Sequence, residues 1–352
     1  MSGRALLLTP SCGRGGGIER YAETLEWACA AQGVECRRID LRGTGPAAHA
    51  RMLSECRRQL QRSEVPPRLV VMHRALLPVA SLLASERSQR GISLVCDGID
   101  VWGSRMRPRQ VVENFLMRGR SVRVIAVSTF TAGALFGACS ATVLPPGLSQ
   151  EWFSMLVGAA DDSRPTKPTN PGLHLLTAFR LEDWKDKGLP QLLAAIAALG
   201  RPDAHLTVCG NGEPPSDLRR LIRDHQGCTL RSGLSDRELA DELAGADLFV
   251  LATRTRCGRT AYGEGFGLVL LEAQVAGTAV IAPAHGGSRD AYIDGMTGVA
   301  PVDESAEALT QVLSDLLRDQ QRVIQMGQRA AEWARESFAP ERYASLAVAR
   351  LL

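Results

Sequence analysis

Glu264 and Glu272 stand eight residues apart in the run Gly263-Glu264-Gly265-Phe266-Gly267-Leu268-Val269-Leu270-Leu271-Glu272-Ala273. The glycine-rich first half reads as a loop, and the apolar second half as a helix starting near Gly267. Such a start leaves backbone amides without partners between the two acids, which suits an anion. A carboxylate accepts two hydrogen bonds from vicinal hydroxyls, so Glu272 suits a ribose and Glu264 a sugar ring. An acid inside an apolar helix is costly unless its oxygens are satisfied, which makes Glu272 the more informative of the two.

Cations gather at a second place. Arg180-Leu-Glu-Asp-Trp-Lys185-Asp-Lys187-Gly188 follows one expected strand and precedes a helix. Arg180 can fork onto phosphate oxygens and Lys187 can add a point charge at the helix terminus. Lys185 competes for the same role, and a solvated turn with surface Lys–Asp pairs is the plainer alternative. A third candidate, Gly15-Gly16-Gly17-Ile18-Glu19-Arg20, opens a helix after the first strand, so Gly16 and Gly17 can bring amides to a phosphate or can simply make a tight turn. Neither the Gly-x-Gly-x-x-Gly spacing nor a Gly-Lys-Ser/Thr ending is present there, so both common nucleotide fingerprints fail and a nicotinamide enzyme is the least favoured reading.

These loops need strands and helices to carry them, and short β-type runs alternate with helical ones almost throughout. Strands are expected at Arg4–Thr9, Val34–Ile39, Leu69–His73, Ile92–Cys96, Val122–Val127 and Ala141–Leu144, with helices between them. Residues 161–172, with three prolines and no apolar period, read as a linker. The alternation restarts at Leu173–Ala178 and continues through His205–Cys209, Thr229–Ser232, Leu248–Ala252 and Ala279–Ala282, followed by three C-terminal helices. The expected fold is α/β, with two Rossmann-like doubly wound domains, 1–160 and 173–338, a cleft between them, and a helix at 339–352 packing back on the first domain.

Composition sets the outer bounds. The 352 residues are 45% apolar, 22% charged and 5% aromatic, a globular composition with few stacking surfaces for single-stranded nucleic acid. Residues 1–160 hold 20 Arg and no Lys against 12 acids, a net of +8; residues 161–352 carry −5. The basic half, with Arg57, Arg58, Arg105, Arg107, Arg109, Arg118 and Arg120, fits an anionic partner or membrane surface, or else an arginine-rich solvated face. Nine cysteines lack any Cys-x-x-Cys pair, so no zinc site or disulfide framework is expected, and they read as buried or neutral thiols. The longest apolar stretch, Leu268–Ala284, is broken by Glu272 and Gln274 and is no membrane span. The N-terminus lacks a signal-peptide pattern, so the expected location is the cytoplasm, with peripheral association at the inner membrane face as an extension.

The chain resembles a retaining glycosyltransferase of family 4, with the GT-B fold. The resemblance runs over nearly its whole length: the glycine loop with Glu19, Ser128-Thr129-Phe130-Thr131, Pro146-Gly147, Arg180 with Lys187-Gly188, Gly210-Asn-Gly212, Glu264-Gly-Phe-Gly with Glu272, and Gly286-Gly287 before Asp294-Gly-x-x-Gly298. It implies that Glu272 binds the donor ribose, Glu264 contacts the transferred sugar, and Arg180 and Lys187 neutralise the diphosphate. Gly16, Gly17, Gly210, Gly265, Phe266, Gly267 and Leu268 complete the donor site. The implied reaction moves a sugar from a nucleoside diphosphate, UDP ahead of GDP-mannose, to a hydroxyl of a lipid-linked, polysaccharide or small glycoside acceptor. No metal or other cofactor and no nucleic acid is expected.

Three positions depart from the family pattern. Asp97, in Asp97-Gly98-Ile99-Asp100, stands where the family often has histidine, Arg180 and Lys187 are seven apart, and Arg289-Asp290 replaces a common Pro-Glu. Asp97, Asp100 and His73 are the acceptor-side candidates. The rival readings are a catalytically silent sugar-nucleotide-binding subunit and a sugar-nucleotide epimerase of similar build.

Overall fold

The computed structural model describes residues 3–10, 16–61, 66–85, 91–98, 108–163, 172–256 and 262–352. Contacts divide the chain into two units, one of residues 1–149, 256–266 and 340–352, the other of residues 150–255 and 267–339.

The first unit opens with β1 (Arg4–Thr9), α1 (Gly17–Ala31), β2 (Glu35–Asp40), α2 (Gly45–Gln61), β3 (Arg68–Val71), α3 (Leu77–Ser85) and β4 (Ile92–Cys96). It continues with α4 (Pro108–Met117), β5 (Val122–Ala126), α5 (Thr129–Leu135) and β6 (Ala141–Val143). Its strands form a parallel six-stranded sheet in the order β2-β1-β3-β4-β5-β6. Leu6, Leu8, Leu69, Val71, Ile92 and Leu94 lie in one buried cluster, as expected of parallel strands covered by crossover helices.

The second unit begins at α6 (Gln150–Ser163) and β7 (Leu173–Ala178), then α7 (Leu189–Leu199), β8 (Ala204–Gly210), α8 (Ser216–Arg223), β9 (Cys228–Ser232) and α9 (Asp236–Gly245). It closes with β10 (Leu248–Val250), α10 (Leu268–Val275), β11 (Ala279–Ile281), β12 (Gly298–Val299), α11 (Ala306–Leu317) and α12 (Gln320–Ser337). The sheet is again parallel, in the order β12-β11-β10-β7-β8-β9, around a core that includes Leu175, Leu206, Val208, Leu248, Val250 and Ile281. Its helices start where the sequence supplies oxygen acceptors: Ser235 and Glu238 form a reciprocal capping box on α9, and Ser305 accepts from the Ala308 amide on α11.

α13 (Pro340–Leu351) returns to the first unit and lies on α1. The Ser93 hydroxyl on β4 donates to the Leu351 carbonyl, and Arg123 on β5 to that of Arg350.

Two elements escape the sequence reading. α6 fills the stretch after Pro145-Pro146-Gly147, where the alternation breaks off; it groups by contacts with the second unit and takes in Asp161–Ser163, expected in the linker. Residues 164–171, the rest of that linker but for Gly172, lie outside the described residues. The two-residue β12 is too short to leave a pattern.

Candidate active site

In the second sheet β7 is flanked by β8 and β10, so the strand order reverses beside it. The carboxyl ends of strands at such a switch point are where open α/β sheets bind ligands. Arg180 leaves the end of β7 between two cross-links: the Phe179 amide donates to the Cys209 carbonyl (3.1 Å) and the Leu181 amide to that of Asn211 (3.1 Å). The Arg180 side chain is 37% exposed, and its buried Nε has no hydrogen-bond partner, the nearest carboxylate being Asp183 at 3.6 Å.

The chain then turns through Leu181–Asp183 to Lys187, whose amide donates to the Asp183 carbonyl at 2.9 Å, and to Gly188 before α7. Gly188 has φ +71°, and a Cβ there would overlap the Ala252 carbonyl oxygen just past β10. The Arg254 amide donates to the Asp186 carbonyl at 2.9 Å. Glycine thus lets the loop after β7 press against the exit of β10.

The two lysines separate cleanly. Lys185 is 66% exposed, holds Asp217 of α8 at 3.0 Å and lies 4.8 Å from the centre of the Trp184 ring. Its ammonium also keeps the Asp217 carboxyl below the usual carboxylate range, through their hydrogen bond first. Lys187 is half-buried beside the switch point.

α10 begins after Gly267, at φ +83°, and no side chain caps it. The Leu270 amide donates to the Gly267 carbonyl at 2.8 Å, and the amides at the very start of the helix, from Leu268 on, are those that helix geometry leaves for an anion. From Leu270 to Val275 every residue is buried. The two polar ones have partners: Gln274 donates to the Leu270 and Ala291 carbonyls, and Glu272, 5% exposed, accepts from Trp152 Nε1 at 3.0 Å. Trp152, on the unforeseen α6, is the residue that sequence reasoning missed. Gly210 ends β8 against the Phe179 carbonyl, beside Arg180.

Within the first unit the strand order reverses between β1 and β3. Gly16 precedes α1 and Gly17 starts it after β1, with open space where a Gly17 Cβ would sit. His73 follows β3, where its Nδ1 accepts from the Ala75 amide at 3.0 Å and so caps a short 3-10 turn. Asp97 follows β4; Asp100 lies outside the described residues.

The segment that returns at 262–266 carries half-buried Glu264 with buried Gly265 and Phe266. A Cβ on Gly265 would overlap the Asp97 carbonyl oxygen, so this glycine seats the Glu264 loop directly on the Asp97–Gly98 backbone. That juxtaposition has no counterpart in the sequence motifs. Behind it, Tyr21 of α1 and Tyr343 of α13 are buried, and both hydroxyls are pushed above the ordinary tyrosine range by burial first, Tyr21 also by Tyr343 and Asp97.

Other motif residues serve structure. Ser128 caps α5 by accepting from the Thr131 amide, Gly147 leaves room for the Tyr343 ring, and exposed His285 precedes a turn held by Ser288 donating to the Pro283 carbonyl. Among the described residues, no group of three or more His, Cys, Asp or Glu side chains could hold a metal ion, and no helix is long and apolar enough to cross a membrane.

Each unit thus carries a doubly wound parallel sheet, and the second adds an uncapped helix start and a buried carboxylate on the same helix. Residues 169–333 match the family described as glycosyl transferases group 1, to which this part of the chain is similar.

It is 30% identical to the GDP-mannose-dependent alpha-(1-6)-phosphatidylinositol monomannoside mannosyltransferase of Mycolicibacterium smegmatis, over 55% of this chain and 52% of that protein. It is 36% identical to the monoacylated-substrate counterpart from Corynebacterium glutamicum, over 43% and 39%. The chain thus spans about half or less of the length of these mannosyltransferases. A D-inositol 3-phosphate glycosyltransferase of Paenarthrobacter aurescens aligns over 96% of this chain and 93% of its own at 27% identity. The sucrose-phosphate synthase of Thermosynechococcus elongatus superposes with a TM-score of 0.79 at 19% identity, covering 98% of this chain and 97% of that one, which shows the GT-B fold.

Proposed function

We propose that the chain is a retaining glycosyltransferase that moves a sugar from a nucleoside-diphosphate sugar to an acceptor hydroxyl. The observation that carries this reading is Glu272, buried on α10 behind an uncapped helix start, at the same switch point where Arg180 and Lys187 emerge. Glu272 accepts from the ribose hydroxyls. The α10 amides, Arg180 and Lys187 take the diphosphate, with Gly210 giving it backbone approach.

The bond that breaks joins the anomeric carbon to the diphosphate oxygen, and its electron pair leaves with the diphosphate. Preorganised positive charge lowers the cost of that step. The acceptor oxygen bonds to the anomeric carbon on the face the diphosphate leaves, and the acceptor proton passes to a leaving phosphate oxygen. Glu264, with Gly265 and Phe266, contacts the transferred sugar, and Asp97, on whose backbone this loop rests, serves the acceptor side together with His73 and Asp100. No metal takes part.

The names of the 30% and 36% identical relatives move GDP-mannose ahead of UDP-sugars as donor. Those relatives also name phosphatidylinositol-linked acceptors, which fits a basic first unit that works against a membrane from the cytoplasmic side. There Phe115 on α4 is 75% exposed and Phe136, just past α5, 86%. Arg118 Nε donates to the Ala138 carbonyl at 2.8 Å and ties the ends of these helices together. Residues 101–150 hold six arginines and one acid, Glu113, which is buried against Arg74 at 2.8 Å. Exposed aromatics in a stretch of net positive charge suit an anionic lipid surface.

Mass spectrometry of GDP- and UDP-sugars incubated with phosphatidylinositol-type lipids and small glycosides tests the reading. The expected result is a glycosylated acceptor with the free nucleoside diphosphate, and retained anomeric configuration by NMR. Donor consumed without acceptor would instead mean an epimerase, and binding without turnover of any donor a silent subunit.

A further inference from the structure

Trp152 is 4% exposed and Glu272 5%, and the indole N–H reaches the carboxylate Oε1 at 3.0 Å. The two residues come from different helices of one unit, α6 and α10, which pack together while α6 also lies along α9. An indole nitrogen only donates and a carboxylate only accepts, so the bond has one polarity and both groups are buried in it. A glutamate side chain has three rotatable bonds, and a hydrogen bond to one carboxylate oxygen restricts the last of them. We propose that Trp152 is a positioning residue for nucleotide recognition: by engaging Oε1 it fixes the carboxylate plane of Glu272, and the orientation it sets is the one in which Glu272 discriminates a ribose from a deoxyribose. This rests on the ribose role given to Glu272 above and adds the residue that enforces it.

A purely structural tie between α6 and α10 makes a different prediction, because it would weaken the unit without reading the sugar. The test measures Kd by calorimetry for GDP and UDP and for their 2′-deoxy and 3′-deoxy forms, with wild type, Trp152→Phe, Trp152→His and Glu272→Ala, and follows thermal unfolding of each. Wild type is expected to prefer one ribonucleotide over at least one of its deoxy forms. Trp152→Phe keeps a ring but removes the donor. It should lose about tenfold in ribonucleotide affinity, the scale of one hydrogen bond to a charged group, and leave deoxynucleotide affinity unchanged. Trp152→His, which restores a ring N–H, should recover part of the preference.

A Trp152→Phe protein that keeps the wild-type preference, or loses ribo- and deoxynucleotide affinity equally, overturns the proposal. If Trp152→Phe unfolds, Trp152→His decides on the same ratio. A Glu272→Ala protein that keeps the wild-type preference overturns the ribose role of Glu272 itself, and so does a wild type without any preference; loss of preference in Glu272→Ala alone leaves that role standing and removes only Trp152.

Discussion

Lys185 and Lys187 stand two residues apart and have different surroundings, and that difference carries the first prediction at the scale of single residues. Lys185 is paired with Asp217 and lies over the Trp184 face at the surface, where solvent screens such a pair. Lys187 is half-buried in the loop that leaves β7 with Arg180, whose Nε has no hydrogen-bond partner. On the proposed assignment, Arg180→Ala and Lys187→Ala each lower kcat by about 10²–10³, while Lys185→Ala leaves it within about twofold. Steady-state kinetics that found Lys185 the severe variant would reverse the assignment. The two glutamates should also separate. Glu272→Ala weakens binding of the free nucleoside diphosphate, whereas Glu264→Ala cuts turnover more than that affinity, because only the sugar depends on it. Calorimetry with the diphosphate alone distinguishes them, and equal loss in both variants would reject separate ribose and sugar roles.

Among elements, the loop from β7 to α7 is held by contact with the exit of β10, and Gly188 is the residue that permits it. Gly200, at the other end of α7, supplies the comparison: φ is +60° there, but nothing lies near where its Cβ would be. Both glycines adopt left-handed backbone, which costs alanine about 1 kcal/mol. Only Gly188 adds an overlap with the Ala252 carbonyl. Gly188→Ala should therefore lower the urea midpoint clearly more than Gly200→Ala, and should reduce turnover as it shifts Lys187. Equal destabilisation by the two would show that the close approach places no constraint on the loop.

For the whole molecule, the charge asymmetry and the lack of any expected metal lead to two measurements. If Arg180, Lys187 and the start of α10 carry the diphosphate charge, EDTA should leave the initial rate unchanged. Activity that vanished with EDTA and returned with Mg²⁺ would reassign that role to the cation. The net +8 of residues 1–160, with exposed Phe115 and Phe136, should give co-sedimentation with anionic liposomes at low salt. Each basic residue near such a surface contributes about 1 kcal/mol, and at a Debye length of about 8 Å much of this disappears. Binding should fall several-fold between 20 mM and 300 mM salt, chosen to bracket about one such length. No binding at low salt would point to a soluble acceptor.

What the sequence determined by itself was whatever local physics writes into neighbouring residues. The alternation of short apolar runs with helical ones marked most of both sheets, because parallel strands buried on both faces must be apolar. The spacing of Glu264, Gly267 and Glu272 marked a loop, a helix start and a buried acid, because each follows from residues within three turns of one another. α6 and Trp152 were illegible. The helix follows Pro145-Pro146-Gly147, where the alternation reads as ended, and the partner of its tryptophan lies 120 residues further along the chain. Seating Gly265 on Asp97 and pressing Gly188 against Ala252 likewise required the folded backbone, since each depends on how closely two distant carbonyls and glycines approach. The different surroundings of Lys185 and Lys187 were out of reach of the sequence for the same reason: two like residues two apart differ only in what the fold puts beside them.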